Sequence, residues 1–482
     1  MDRRLARVPR CLGTCETDIP YIYLPGSFEP ATPRAIAGPA LEGFMKYQHR
    51  VLGMLSLLAV ITYLDRVCIA VAGPRMQDEL HISPEAWGWV TSVFFLSYSA
   101  FEIPTGALGD RVGPRRVLTR VVAWWSAFTA LTGTVSNYYV LLLMRFCFGA
   151  GEAGAYPNAS AVIGRWIPIA KRTRAWGIVW MTSQVGAALS PLLVVPIQVR
   201  YGWRAPFFVF GLLGVGWSVA WYVWFRDSPH EKDGVSAAEL REIGSTPGLQ
   251  RHGMPWATAL RIPTLWRIAA IGVCYVYALG FFQSWLQTYL VRGRGFTEAA
   301  LVLSSLTYAV GATANGLGGL AGDWMVKRYG LRNGRRWLGV AGLSAAALLL
   351  TAAILAPSGN LALVFLSCAY GGILFQQPSL CALCLDVGRR NAGAVFGFMN
   401  TAANAASALS AVVFGYMVGY FGNYHAPFLP MVALLACGAL LWLQVDPTRE
   451  LLPEELPDES VSARLLGSSA VLQTTSGRMR SE

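Results

Sequence analysis

The chain has 482 residues, of which 54% are hydrophobic and only 14% charged, against about a quarter charged in an ordinary soluble domain. Its mean hydropathy is +0.43 and its basic residues exceed its acidic ones by 12. That balance excludes a water-soluble globular domain. It gives no reason to expect a nucleic-acid partner either, because the basic excess sits in short loops between apolar runs.

The first 45 residues are polar and rich in Pro, Gly and Arg, so the first apolar run starts too late for a signal peptide. Apolar runs long enough to span a bilayer then follow near 51–71, 87–108, 118–135, 138–160, 175–197 and 205–225. After a polar, mixed-charge stretch come runs near 267–290, 300–321, 337–356, 360–382, 393–416 and 426–444. They are continuous and helix-length, not short and alternating, which argues against a β-barrel. The predicted fold is an all-α integral membrane protein of twelve helices, built as two six-helix bundles around a central cavity. The predicted divisions are a polar segment 1–47, a bundle 48–225, an inter-bundle loop 226–266, a bundle 267–445 and a disordered tail 446–482. Within the loop, Ala237–Ile243 is a candidate surface helix.

Loops after even-numbered spans carry Arg111, Arg115, Arg116, Arg120, Arg165, Lys171, Arg172 and Arg174. Further along they carry Arg226, Lys232, Arg241, Arg251, Arg261, Arg267, Lys327, Arg328, Arg332, Arg335, Arg336, Arg389 and Arg390. These 21 basic residues face five in the other loops, Arg75, Arg200, Arg204, Arg292 and Arg294. The even-numbered loops and both termini are therefore expected on the cytoplasmic side.

A repeat relates the halves. Gly106-Ala107-Leu108-Gly109-Asp110-Arg111-Val112-Gly113-Pro114-Arg115-Arg116 follows span 2, and Gly318-Gly319-Leu320-Ala321-Gly322-Asp323-Trp324, with Lys327 and Arg328 beyond, follows span 8. Each puts an acidic residue at a helix end beside a basic cluster, a suitable place for contacts that break and re-form as the halves rock. Asp110, Arg111, Arg115 and Asp323 are the predicted gating residues. The first copy resembles the signature of the major facilitator superfamily. Within it, Tyr63-Leu64-Asp65-Arg66 in span 1 is similar to the anion:cation symporter family. So are Arg145 with Gly149-Ala150-Gly151-Glu152-Ala153-Gly154-Ala155-Tyr156-Pro157 in span 4, and Asn400 and Asn404 in span 11. The resemblance implies proton-coupled symport of organic anions such as hexuronates, galactonate, glucarate or phthalate-like acids, in a bacterial inner membrane. Glu102 departs from the pattern, where the resemblance leads one to expect a neutral amide.

Ionised side chains at mid-membrane are costly and normally face a cavity or a partner. Asp65 and Arg66 are adjacent and so point about 100° apart; Arg145 and Glu152, seven residues apart, share one face. Arg66, whose planar fork suits a carboxylate, is the candidate anion binder. Asp65 and Glu152 are candidate proton carriers, with Arg145 holding one of them in part of the cycle. Tyr63, Tyr98, Gln184, Gln283, Gln376, Asn400 and Asn404 are candidate cavity residues that would orient a hydroxylated acid. A sugar acid is the favoured substrate, with aromatic or dicarboxylate acids, or anion exchange or export, as alternatives. The five scattered histidines and the Cys381/Cys384 pair suggest no metal site, and neither a phosphate-binding loop nor an enzymatic constellation is present in the sequence. No cofactor is expected, and one chain encloses a complete pathway, which favours a monomer.

Overall fold

The computed structural model describes residues 46–168, 171–244 and 254–451, excepting the side chains of Asp110, Thr173 and Arg390. Segment 1–45, with Cys11 and Cys15, and the tail from residue 452 lie outside the described residues. The first half contains α1 (Tyr47–Glu79), α2 (Pro84–Val112), α3 (Pro114–Thr132), α4 (Tyr138–Glu152), α5 (Ala155–Trp166), α6 (Arg172–Tyr201) and α7 (Ala205–Trp224). The connection carries α8 (Ala237–Ile243) and α9 (Trp256–Ala259). The second half contains α10 (Pro263–Ser284), α11 (Leu286–Thr288), α12 (Ser305–Leu355), α13 (Gly359–Gly388), α14 (Ala392–Phe421) and α15 (Phe428–Gln444).

Every apolar run read from the sequence falls on these helices. Among the described residues, seven helices are long and apolar enough to cross a membrane by length and composition. One run differs in form from the expectation. The fourth is split into α4 and α5 at Ala153–Gly154, within its glycine-rich stretch. The eighth and ninth runs are the two arms of α12, which turns back at Gly330 (φ 80°, ψ 164°) in the loop expected between them, a conformation that suits glycine. A Cβ on Gly334 would lie only 2.7 Å from the Val326 backbone, so the two arms of this hairpin touch closely beside the turn.

In the first half α1 packs on α6, α3 on α7 and α2 on α4; in the second, α10 packs on α14 and α12 pairs its arms with α13 and α15. The halves meet along α2–α14 and α6–α12. Glycine makes the first of these contacts possible. A Cβ on Gly88 would stand 2.7 Å from the Ala411 carbonyl oxygen, and one on Gly415 would stand 2.4 Å from that of Pro84. Gly415→Leu must push α2 and α14 apart. It is expected to cost about 1–3 kcal/mol and to lower the unfolding temperature in detergent by several degrees, measured by intrinsic fluorescence.

The two ends of the bundle differ. At the Arg-poor end, where α1 ends and α2 begins, polar bonds tie the halves together. Arg292 donates to Asp78 (2.6 Å) and to Gln77 (3.3 Å), and Gln77 donates to Thr288 (3.1 Å). Arg75 pairs with Glu298 (2.8 Å) and donates to the Gln198 carbonyl (2.5 Å). Deeper in, Tyr370 donates to Gln184 and Asn400 to Glu102 across the halves. Among the described residues, no hydrogen bond or ion pair joins the halves nearer the Arg-rich end. This conformation is therefore closed at the Arg-poor end.

The α8 helix is strapped to the first half. Ser236 caps it, Glu239 accepts the Gln48 backbone N–H (2.8 Å), and Glu242 pairs with Lys46 (2.7 Å) and Lys171. The hydrogen bonds from Lys171 and Lys46 push the Glu242 carboxyl down to about 2. A depressed carboxylate contributes its stabilisation above the unfolded value, about 4.3, and loses it as pH falls through its folded value. Exchange protection of the α8 amides, corrected for intrinsic rate, should therefore persist from about pH 7 to about pH 4. Glu242→Gln should weaken it about fivefold throughout that range.

Candidate functional site

The charged residues of α1 and α4 meet inside the first half. The Arg66 guanidinium is bonded to the fully buried Glu152 carboxylate. Its remaining surface lies on aromatic rings, with Cζ 4.8 Å from the Tyr98 centroid, 5.2 Å from Phe94 and 5.4 Å from Tyr63. Arg145 is also buried, 4.8 Å from Phe94 and 4.9 Å from Phe148. Asp65 is buried and accepts from Trp125 Nε1 at 3.2 Å. Arg145 holds neither Asp65 nor Glu152 in this conformation; among the described residues neither lies within ion-pair distance of it. The physical reason is visible: Arg66 takes up Glu152 from the neighbouring helix, Trp125 takes up Asp65, and Arg145 rests on two rings.

Four polar atoms in this set are buried without a hydrogen-bond partner: Arg66 Nη2, Arg145 Nε, Asp65 Oδ1 and Glu152 Oε2. Such atoms are rare in folded proteins and mark places where a group is bound or a charge changes. Here they are two donors suited to an anion and two acceptors suited to a proton. Arg66 and Arg145 also line one small cavity together with Phe94, Phe95, Gln283 and Ser284. Its free space is about 10 Å³, roughly one water-sized sphere, so this conformation is contracted around the arginines.

The other predicted cavity residues divide. Tyr63 and Tyr98 flank Arg66, and Gln283 reaches the same cavity from α10, in the opposite half. Gln184 is buried and accepts from Tyr370 (3.1 Å), bridging α6 and α13. Asn400 bonds Glu102 (3.1 Å), and Asn404 lies half-buried one turn further along α14. Gln376 does not join the set. It is fully buried and accepts from Trp442 Nε1 (3.3 Å), so it serves the α13–α15 contact. Sequence reasoning missed Trp125, Phe94 and Tyr370, which are apolar or aromatic residues among many of their kind. It also missed that Glu102 and Asn400 are partners. Tyr156 stacks on Trp180 (4.9 Å, 7° between planes) and bonds Ser183 (2.9 Å), adding an aromatic wall in the first half.

The family model described as Major Facilitator Superfamily matches residues 55–411 and 332–475. The chain belongs to this superfamily. The family is one of transporters, not of enzymes. The chain is 34% identical over 421 residues to a probable sulfoacetate transporter of Cupriavidus necator, covering 86% of this chain and 97% of that one. It is 28% identical to a hexuronate transporter of Bacillus subtilis, covering 80% and 92%. In fold it is similar to a bacterial homologue of the human lysosomal transporter Spinster, with a TM-score of 0.67 at 20% identity over 83% of this chain and 97% of that one. The chain is thus a multi-pass membrane protein whose relatives carry organic anions.

The superfamily's signature loop sits between α2 and α3. Gly113 (φ 95°) turns the chain there, which brings the start of α3 against Asp227. The Arg115 backbone N–H donates to Asp227 Oδ1 (2.8 Å), and its guanidinium donates to the Tyr222 carbonyl (2.9 and 2.6 Å) at the end of α7. Arg115 therefore braces its own half in this conformation, and Arg111 and Asp323 are exposed at the same end. The Asp110 side chain lies outside the described ones. In the second half, Arg335 pairs with Asp386 (3.2 Å) and likewise stays within its own half.

Proposed function

We propose that this chain is a secondary active transporter that carries a small organic anion together with protons by alternating access. The observation that supports this most is the buried set of two arginines and two carboxylates with unpartnered donors and acceptors. Two cations and two anions balance when all are ionised. An anion bound at Arg66 and Arg145 adds negative charge, and a proton on Glu152 or Asp65 restores the balance. Only a balanced cavity can close in low dielectric without stranding charge. With the Arg-rich end cytoplasmic, the conformation described is inward-facing, both termini are cytoplasmic, and an inward proton gradient favours uptake across the bacterial inner membrane. One chain contains both halves of the pathway and works as a monomer.

The favoured substrate is a compact acid with one or two anionic groups, such as a short carboxylate or sulfonate. Two arginines share the cavity, Gln376 faces elsewhere, and the relative named for sulfoacetate is 34% identical. A sugar acid is the second reading, favoured by Gln283 on the cavity and by Asn400 and Asn404 on α14. The test is uptake of labelled sulfoacetate, galacturonate, galactonate, glucarate and phthalate into proteoliposomes, with and without an inward proton gradient. Gradient-stimulated uptake of one acid is expected. Uptake that ignores the gradient but needs a preloaded anion would replace symport with exchange.

A further inference from the structure

Along α2, the close contacts across the halves stop part-way, whereas those with its own half continue. From the Arg-poor end to mid-membrane, α2 packs across the halves on α14 through Gly88, Gly415 and Gly419. Beyond that, its close neighbours lie in its own half: Gly106 faces Pro157, and Gly109 faces Asn158. Glu102 stands where those across the halves stop. Asn400 Nδ2 donates to both of its carboxylate oxygens, at 3.1 and 3.3 Å, and among the described residues this is the last polar bond between α2 and α14 before the Arg-rich end. From Glu102 to the end of α2 at Val112 is ten residues, roughly 15 Å of rise. Pro104 follows two residues on. It has no N–H for the helical bond to residue 100, so α2 lacks that bond beside Glu102.

The surroundings of Glu102 are not those of Glu152. Arg66 on α1 lies within electrostatic reach, Tyr98 is one turn back on α2, and Asn400 faces it from α14. Glu152 on α4 and Tyr156 on α5 act on Arg66 and Tyr98 instead. Arg66 itself is bonded to Glu152. Glu102 is thus a carboxylate at membrane depth whose hydrogen-bond partner is a neutral amide, placed where the two halves must come together when the Arg-rich end closes.

We infer that Glu102 is a second protonation site, separate from Asp65 and Glu152, whose protonation permits α2 and α14 to close at the Arg-rich end. With that end open, cavity water solvates the ionised carboxylate. Closure removes the water and leaves only Asn400 and Arg66, which is already bonded to Glu152. A bare carboxylate there is strongly disfavoured, whereas a neutral acid can exchange hydrogen bonds with the amide in both directions. Each cycle then carries a proton at Glu102 in addition to that on the Arg66–Glu152 set. This extends the symport reading.

The test needs no substrate. Hydrogen–deuterium exchange of the full chain in nanodiscs, corrected for intrinsic rate, would be followed in segments 103–112 and 392–399. At about pH 8, Glu102→Gln is expected to exchange about fivefold more slowly than wild type in both segments, because its closed form is favoured. At about pH 5 the wild type should reach the protection of the variant, and Glu102→Asp should respond to pH as the wild type does. Equal exchange of wild type and Glu102→Gln at both pH values would overturn the inference, as would a difference that is the same at both. If Glu102→Gln lost protection in α12 and α13 as well, the wild type alone would decide, through the presence or absence of its own pH response in the two segments. An acid panel left untransported alongside intact pH-dependent exchange would defeat the symport reading and leave this site standing.

Discussion

Arg66→Ala should abolish accumulation of the transported anion, reducing initial uptake into proteoliposomes by about 10²–10³-fold at equal protein loading. The size follows from two losses at one position. The variant lacks the forked donor aimed into the cavity, and it leaves Glu152, fully buried, without its cation. Removing one partner of a buried ion pair is far more disruptive than removing both, since the remaining charge has nothing to offset its desolvation. Arg66→Lys restores charge but not the fork or the fit against Tyr98 and Phe94, and should recover only part of the rate. If Arg66→Ala transported within about threefold of wild type, the anion would bind elsewhere, with Arg145 the remaining cation on the cavity.

The second large effect separates binding from coupling. Glu152→Gln keeps the shape of the side chain and leaves Arg66 an oxygen to bond, but it cannot take up and release a proton. Gradient-driven accumulation should fall by at least about fiftyfold, while exchange of external for preloaded anion stays within about threefold of wild type. Exchange needs only the loaded carrier to turn over, and the amide supplies the neutral form permanently. Loss of both activities would make Glu152 a structural partner of Arg66. Retention of both would move coupling to Asp65, whose Oδ1 is the other unpartnered acceptor.

The sequence made the charges easier to find than their partners. A carboxylate or guanidinium inside an apolar run is conspicuous, so Asp65, Arg66, Arg145 and Glu152 stood out from sequence alone. The partners did not, because a membrane helix is apolar towards both lipid and protein, and no polar face orients it. That is why Gln376 was grouped with the cavity although it bonds Trp442, and why Trp125 and Phe94 could not be singled out. Helix existence was legible from run length, and the turn at Gly330 falls in the basic loop read between the eighth and ninth runs. The break at Ala153–Gly154 was not legible, because it lies inside a continuous apolar run. The contact between Glu102 and Asn400 spans 298 positions and depends on how two bundles lean together, which no local pattern encodes.

The repeated loops show the same limit. Asp110 lies two residues before the end of α2, whereas Asp323 lies seven residues before the turn at Gly330. Arg115 and Arg335 each bond within their own half here. The conformation is tied at the Arg-poor end, and both of these arginine bonds lie inside one half.

The most direct measurement is proton movement itself. Proteoliposomes in weakly buffered medium, with no imposed gradient, would receive the transported acid while external pH is recorded. Symport requires the medium to become alkaline as the acid enters, with an initial rate that saturates with the acid and disappears in Glu152→Gln. Entry of the acid with no change in external pH, or a change that Glu152→Gln leaves intact, would contradict proton coupling through the buried Arg66–Glu152 set.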